Sequence, residues 1–423
     1  MIFTEYKIDD LCLYITSGGT PKATNLQYYD NGTIPWMKTG EIHKGYIYNT
    51  ETHITQEALK NSSAKLIPAN SIIIAMYGDG GTAGNVAINK IPLSTNQACC
   101  NLVVNSKICN YQYLYFFLKG SYNDLVALKS GGSQQNLNGK TIKEFKILLP
   151  ALPIQNIIAS ILSAYDELIE NNKQRIKLLE EMAEEIYKEW FVRLRFPGYE
   201  NIKQVDGLPE CWIKKPIDEF LSFSMSKAKL KKFNDTKTYI ATADVTDINI
   251  TGQGEVIDWE NKPSRAQLVP ELNSVFFARM SNTYKVLVFS KTNKELIDEL
   301  ALTSGFLGLK ALNEETLPYL FWLIKSDTFH NYKDVFANGA TQVSLTNEGF
   351  HNIKLVEPSL SVIEKFGKST SAFLSEIITL NKKNQVLQET RDLLLPRLIS
   401  GKLSIEHLGE EELTMVAEPR ENY

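Results

Sequence analysis

Gly131-Gly-Ser-Gln-Gln-Asn-Leu-Asn-Gly-Lys-Thr-Ile-Lys-Glu-Phe-Lys-Ile-Leu-Leu-Pro150 and Gly339-Ala-Thr-Gln-Val-Ser-Leu-Thr-Asn-Glu-Gly-Phe-His-Asn-Ile-Lys-Leu-Val-Glu-Pro358 are two copies of one pattern, 208 residues apart. Gly131, Ser133, Gln134, Leu137, Ile142, Phe145, Ile147 and Pro150 answer to Gly339, Thr341, Gln342, Leu345, Phe350, Ile353, Leu355 and Pro358. The correspondence extends in both directions. Asn70-Ser71-Ile72 with Ala75 matches Asn273-Ser274-Val275 with Ala278 at an offset of 203, as Glu41-Ile42 matches Asp244-Val245. Glu167-Leu168-Ile169 with Asn172-Lys173 matches Glu376-Ile377-Ile378 with Asn381-Lys382 at 209. An ordered series with small offset changes is what loop insertions leave between two copies of one domain.

Each copy has the same internal order. A mixed region of about 150 residues carries short strand-like runs such as Ser71 to Ala75 and Ser274 to Ala278, separated by Gly- and Asn-rich breaks. A proline stop follows (Pro150 and Pro153; Pro358), and then a long helical pattern. In the first helix apolar residues fall at Ile154, Ile158, Ile161, Tyr165 and Leu168, then Ile176, Leu179, Ile186 and Trp190. The second repeats this with Phe366, Phe373, Ile377, Leu380, Leu387 and Leu394. The early spacing predicts a heptad seam, and an antiparallel pair of helices of roughly 35 residues would be about 50 Å long. Asn172 and Asn384 lie on these seams, where an asparagine is either a register-fixing buried residue or a surface one.

The chain has 423 residues, 43% hydrophobic and 22% charged, which predicts more than one globular domain. No apolar run approaches the roughly 18 residues that span a bilayer, and the amino terminus has no secretory pattern, so no membrane association is expected. Five cysteines with no CxxC pair argue against a disulfide framework or a cysteine zinc site, and for a reducing cytoplasm. Net charge is −4, without the basic excess usual for a nucleic-acid binder. The acid is concentrated, however: Asp166 to Glu189 holds eight acidic and four basic residues, and the tail after Gly409 is acidic, whereas Lys227, Lys229, Lys231 and Lys232 cluster elsewhere.

Several segments resemble a known family. Leu149-Pro-Ala-Leu-Pro-Ile-Gln-Asn-Ile-Ile-Ala159, Tyr165-Asp-Glu-Leu-Ile-Glu-Asn-Asn172 and Trp190-Phe-Val-Arg-Leu-Arg-Phe-Pro-Gly198 are similar to the conserved helical regions of specificity (S) subunits of type I restriction–modification systems. Gly19-Thr20-Pro21, Ile34 to Gly40, Thr95-Asn-Gln97 and Leu395 to Leu403 fit the same family. The resemblance implies an α+β protein with two similar mixed α/β target-recognition domains, separated by two long antiparallel coiled-coil helices, in a pseudo-two-fold internal repeat. The expected divisions are recognition domains at 1–150 and 193–357, spacer helices at 151–192 and 358–405, and a flexible acidic tail at 406–423. It further implies that each domain reads half of an interrupted double-stranded DNA target. The helices would dock two methyltransferase (M) subunits and set the half-site spacing. Cofactors would belong to those partners: S-adenosylmethionine in the M subunits, and ATP and magnesium in restriction (R) subunits. The second copy departs from the pattern, with Thr303-Ser-Gly305 where the first has Thr95-Asn-Gln97, which fits two domains with different targets.

The residues of a catalyst are not in view. No Asn-Pro-Pro or Asp-Pro-Pro segment of the adenine-methyltransferase type occurs. Gly139-Lys140-Thr141 ends like a phosphate loop, but Gln134 stands where its first glycine belongs. Gly78-Asp-Gly80-Gly-Thr-Ala83 resembles a dinucleotide fingerprint, yet a second strand-like run, Asn85 to Asn89, follows instead of a helix. The five histidines are scattered, so no metal is expected.

Reading bases needs Arg or Lys for guanine and Asn or Gln for adenine, and phosphate contacts need Lys, Arg, hydroxyls or backbone N–H groups on loops. The first-domain candidates are Thr20, Lys22, Lys38, Tyr77, Asn96, Gln97, Ser133, Gln134 and Gln135. The second-domain candidates are Lys227, Lys229, Lys231, Arg279, Ser281, Asn282, Thr341 and Gln342. The alternative for the recurring Ser/Thr–Gln pairs is a shared turn or cap, and for Tyr77 and Trp36 a place in the core. Trp190, Phe191 and Phe196 either cap the helix pair internally or form a partner-binding surface. A coiled-coil scaffold with two protein-binding domains is the competing function.

Overall fold

A computed structural model of the chain describes residues 2–78, 81–129, 136–339 and 343–403. The chain divides into two compact units, one holding Met1–Ile169 with Leu387 onward, the other Glu170–Val386.

The first unit runs through β1 (Thr4–Lys7), β2 (Cys12–Ser17), β3 (Ile34–Met37), β4 (Tyr46–Ile47), β5 (Thr52–Ile54), α1 (Gln56–Lys60), β6 (Leu66–Ile67) and β7 (Ile72–Ala75). It continues with β8 (Val86–Asn89), β9 (Leu93–Thr95), β10 (Cys99–Val104), α2 (Tyr111–Gly120), α3 (Tyr122–Ala127), α4 (Gly139–Lys143), β11 (Lys146–Leu149) and then the long helix α5 (Leu152–Tyr187). One sheet has the order β2-β10-β7-β8-β4, a second β5-β3-β9-β6, and β1 pairs with β11.

The second unit opens with two short strands, β12 (Gln204–Val205) and β13 (Leu208–Pro209), then β14 (Ile213–Pro216), β15 (Phe223–Met225) and β16 (Lys237–Ile240). A hairpin of β17 (Val245–Thr246) and β18 (Asn249–Ile250) precedes β19 (Glu255–Ile257), β20 (Ala266–Leu268), β21 (Ser274–Ala278) and β22 (Val286–Phe289). After α6 (Glu295–Glu299) come β23 (Leu300–Thr303), β24 (Phe306–Ala311), α7 (Leu317–Lys325), α8 (Asp327–Phe336), α9 (Asn347–Asn352), β25 (Lys354–Glu357) and the helix α10 (Leu360–Ile399). Its sheets are β15-β24-β21-β22, β19-β16-β23-β20 and β14-β25. The order β2-β10-β7-β8 recurs as β15-β24-β21-β22, β5-β3-β9-β6 recurs as β19-β16-β23-β20 with its one parallel pairing (β3 with β9, β16 with β23), and β1–β11 recurs as β14–β25; the first unit adds β4, parallel to β8, and the second adds the β12–β13 and β17–β18 pairs. The internal repeat read from the sequence is therefore a repeat of fold.

The matched residues recur for local reasons. Asn70 and Asn273 both take left-handed backbone (φ 64° and 59°), which asparagine tolerates better than most residues. The next residue, Ser71 or Ser274, donates its hydroxyl back to Pro68 O at 2.7 Å or Glu271 O at 2.6 Å. Both motifs are the same turn into a central strand. That strand is buried along its whole length, because alternate residues serve two cores. Ile72 and Ile74 join the core that includes Ile158 and Leu162 of α5, while Ile73 and Ala75 join Met37, Ile67 and Leu93 between the sheets. Val275 and Phe277 of β21 likewise pack with Phe366 and Ile377 of α10, and Phe276 and Ala278 with Ile240 and Leu302.

Each long helix contributes to both units. Gln155 of α5 is buried, donating to Pro150 O at 2.9 Å and accepting from Asn110 N–H at 2.9 Å, which fastens the helix start to α2. In the second unit Asn313 and Glu364 make the equivalent link at 3.2 Å. Within the second unit Asn172 meets Asn384 and Arg175 meets Glu376, so the paired stretches run antiparallel. The predicted seam needs one correction. Leu168 is 55% exposed and its neighbour Ile169 is buried, because α5 packs on a sheet core as well as on α10. A stripe serving two surfaces is wider than a heptad seam and follows the 3.6-residue period. The buried position beside it is occupied by Asp166, which accepts from Tyr46 Oη at 2.9 Å and from Arg391 of α10.

Candidate nucleic-acid interface

In the first unit the connections after β2, β3, β7 and β9 converge. Gly18 N–H donates to Cys99 O at 3.1 Å and Gly19 N–H to Thr95 O at 2.8 Å, while Asn96 N–H donates to Met37 O at 3.0 Å. Met76 N–H reaches Ala98 O at 2.8 Å, and Met76 O accepts from Leu137 N–H at 2.9 Å. Glycine is required at the closest approach, since a Cβ on Gly18 would lie 2.1 Å from Asn96 O. These bonds bring together Thr20, Lys38, Asn96 and Gln97. The Thr20 hydroxyl donates to Gln97 Oε1, and Lys38 Nζ stands 5.8 Å from the ring centre of Trp36. Thr20, Lys22, Lys38 and Gln97 are exposed and Asn96 is half-buried, its Oδ1 facing Cys99 Sγ at 3.3 Å. Trp36 is buried with Nε1 donating to Gly19 O at 3.0 Å, so it builds the loop platform from inside. Tyr77 is half-buried against the helix-side core, next to Met76.

The second unit repeats the junction. Ser226 N–H donates to Gly308 O at 2.8 Å, Arg279 N–H to Gly305 O at 2.9 Å, and Leu345 N–H to Arg279 O at 2.8 Å. The guanidinium of Arg279 is committed to this junction: it donates to Phe306 O at 3.2 Å, Leu345 O at 2.9 Å and Asn347 Oδ1 at 3.0 Å, and burial lowers its pKa. Arg279 thus ties the loop before α9 to β24. Lys229 bridges to Leu268 as an extended segment alongside β20. Alternation there turns Leu230 into a small core with Tyr239 and Ile257, while Lys227, Lys229 and Lys231 face solvent. None of these three lysines forms an ion pair among the described residues. Arg265, which the motif reading did not single out, is exposed beside them, its carbonyl accepting from Ser304 N–H at 2.8 Å. Its position in an undistinguished turn carried no sequence signal. Ser281 and Asn282 occupy the β21–β22 connection, with Asn282 exposed. Ser133, Gln134, Gln135, Thr341, Gln342 and the 406–423 tail lie outside the described residues.

Of the aromatic residues at the end of α5, Trp190 and Phe191 are half-buried and pack on Phe366 at ring distances of 5.7 and 5.1 Å. Phe196 is wholly covered and stacks on Trp212 at 5.2 Å. Trp190 and Phe191 lie in a π-helical turn, Lys188–Val192, and Phe196 follows the left-handed Leu194.

Four of the five thiols are not poised for covalent chemistry. Burial pushes the thiols of Cys12, Cys99, Cys100 and Cys109 up to about 12, so none is a thiolate nucleophile at neutral pH. Gly139–Lys143 is a short helix capped by Asn138, whose Oδ1 accepts from Thr141 N–H at 2.9 Å; Thr346 caps α9 in the same way. Among the described residues no three His, Cys, Asp or Glu side chains are grouped to hold a metal ion, and no helix is long and apolar enough to cross a membrane.

Residues 3–181 match the type I restriction modification DNA specificity domain family. The type I restriction enzyme MjaIX specificity subunit of Methanocaldococcus jannaschii is 26% identical, over 93% of this chain and 92% of its own length. The EcoR124I/EcoR124II specificity subunit of Escherichia coli is 33% identical over 36% of this chain and 38% of its own. Among solved structures, the type I restriction–modification S subunit from M. genitalium shares the fold with a TM-score of 0.60 at 18% identity, covering 94% of this chain and 96% of that one.

Proposed function

We propose that this chain is a type I restriction–modification specificity subunit, as the match of residues 3–181 to that DNA specificity domain family supports, and that its two units each read one part of a bipartite, interrupted DNA target. Such a subunit is the non-catalytic, sequence-recognising part of a larger assembly. One observation supports this reading above the others: the same loop junction, Met76 with Leu137 and Arg279 with Leu345, recurs on two copies of one sheet scaffold. The scaffold is constant and the side chains on it differ. Thr20, Lys38, Asn96 and Gln97 occupy the first junction, and Ser281, Asn282 and Arg265 the second, flanked by Lys227, Lys229 and Lys231. Amide and hydroxyl groups there suit base edges, and unpaired lysines suit phosphates. The recurring Ser133–Gln134 and Thr341–Gln342 pairs are proposed for the same surface.

The long helices carry the rest of the proposal. Their exposed faces would dock two methyltransferase subunits, supplied with S-adenosylmethionine, and restriction subunits would bring ATP and magnesium. Trp190 and Phe191, half-exposed at the end of α5, are the proposed partner contacts. Phe196 contributes through its packing on Trp212.

The test is selection from a randomised duplex library by the full chain assembled with its methyltransferase subunit. Two short enriched elements at a fixed separation are expected. Enrichment of one continuous element, or of none, would contradict the assignment.

A further inference from the structure

The connection between β21 and β22 is held by a neighbouring helix in an unusual way. Residues 279–285 turn through Asn282, which is left-handed at φ 55°. Lys333 of α8 has a fully buried side chain, and its ammonium donates to Met280 O at 3.1 Å and to Thr283 O at 2.5 Å. Asp334 lies 3.7 Å from that ammonium and accepts from Asn282 N–H at 3.0 Å. Ser281 N–H donates to Val343 O at 3.0 Å, and the Thr283 hydroxyl to Met280 O at 2.6 Å. Tyr284 rests on buried His330, ring centroids 4.2 Å apart.

Burying an ammonium costs several kcal/mol, and an apolar side chain of equal length would fill the space more favourably. The return on that cost is geometric. Lys333 saturates two carbonyls of a turn that has no regular partner strand, and Asp334 saturates its central N–H. The groups left outward are Ser281, Asn282 and the half-exposed Tyr284. The first unit uses the same helix for the same purpose with different chemistry: the Tyr122 hydroxyl of α3 donates to Gly81 O at 3.0 Å in the β7–β8 connection. That connection, residues 76–85, is three residues longer than its counterpart. Two copies that share a scaffold but hold this loop at different lengths by different clamps vary where two targets would have to be distinguished.

We propose that Lys333 is a positioning residue for sequence choice: it fixes the loop conformation in which Ser281, Asn282 and Tyr284 meet one half of the DNA target, without itself touching DNA. This rests on the DNA-reading assignment above. Base discrimination needs contact groups held to within about 0.5 Å, and a turn released from its clamp loses that definition.

Lys333→Met keeps the length and removes both donors. Assembled as the full chain with the methyltransferase subunit, it is compared with wild type on the selected target and on duplexes with single-base substitutions in each half. The ratio of cognate to substituted affinity should fall at least tenfold for the half read by the second unit and hold for the other. A uniform loss on every duplex, with all ratios intact, would mark Lys333 as merely structural and overturn the proposal, as would unchanged ratios. Should Lys333→Met not fold, Asp334→Ala removes the acceptor for Asn282 N–H and the same ratios are read. A wild-type complex indifferent to base changes in both halves would instead remove the DNA-reading assignment, and this proposal with it.

Discussion

Asn172 of α5 donates its side-chain amide to the side-chain carbonyl of Asn384 on α10 at 2.9 Å, with Asn384 only 7% exposed. A buried amide pair matters chiefly through what its loss leaves behind. Asn384→Ala leaves the Asn172 amide without its acceptor and should cost about 1–3 kcal/mol in chemical denaturation. Replacing both by leucine removes the polar requirement altogether, and the double variant should recover most of that loss. The pair also opposes sliding of one helix along the other. Additive single-variant losses, with no recovery in the double, would show that the two amides act independently.

Asp166 and Arg391 form a second link between the helices, reinforced by the Tyr46 hydroxyl, which burial first and then Asp166 hold well above its usual pKa. Removing Asp166 leaves the largely buried Arg391 with only its exposed neighbour Asp392, at 2.8 Å, as a partner, for a loss of up to about 3–5 kcal/mol. Asp166→Ala should show it as a fall in thermal midpoint. Tyr46→Phe, which keeps the ion pair, should cost about 1–3 kcal/mol.

His330 is buried with both ring nitrogens unpartnered, beside Lys333, and burial first, then that ammonium, lower its pKa to about 4. The folded protein therefore keeps the imidazole neutral where the unfolded chain, with an ordinary value near 6.5, takes up a proton. Its contribution to stability is complete above pH 6.5 and is lost as pH falls towards 4, with a slope of up to about 1.4 kcal/mol per pH unit. Urea titrations at pH 7 and pH 5 should show a smaller acid loss for His330→Phe than for wild type.

Lys227, Lys229 and Lys231 line one face of an extended segment with no ion pair among the described residues. If they meet phosphates, each alanine substitution should weaken binding to all sequences alike and reduce the slope of log affinity against log salt by about 0.9. Fluorescence anisotropy across a salt series reads both. A change in base preference with an unchanged salt slope would reassign the residue to base contact.

Much of the fold was legible because repetition is visible without geometry: Asn70-Ser71 and Asn273-Ser274 recur as one left-handed turn, and the proline-led helices begin where their pattern does. The heptad reading misplaced Leu168, since periodicity does not say how many surfaces a helix faces. The site was less legible. Arg279 looked available for guanine, yet its Nε, Nη1 and Nη2 donate to Phe306 O, Leu345 O and Asn347 Oδ1, partners distant in sequence. Lys333 sits on an amphipathic helix where a lysine ordinarily faces water; only the turn packed on it makes it buried. Arg265 became visible once β20, which it immediately precedes, was paired with the segment that carries Lys229.

Two independent readers of DNA on one chain, as proposed, would impose two sequence elements on any methylation that the chain directs. Co-expressing it with the proposed methyltransferase subunit and mapping methylated adenines across the host genome tests this most directly. Two short elements with a constant unread gap are predicted, and exchange of residues 1–150 for another recognition domain should change one element only. A stable complex that adds no methylation, or one that methylates a single continuous motif, would contradict it.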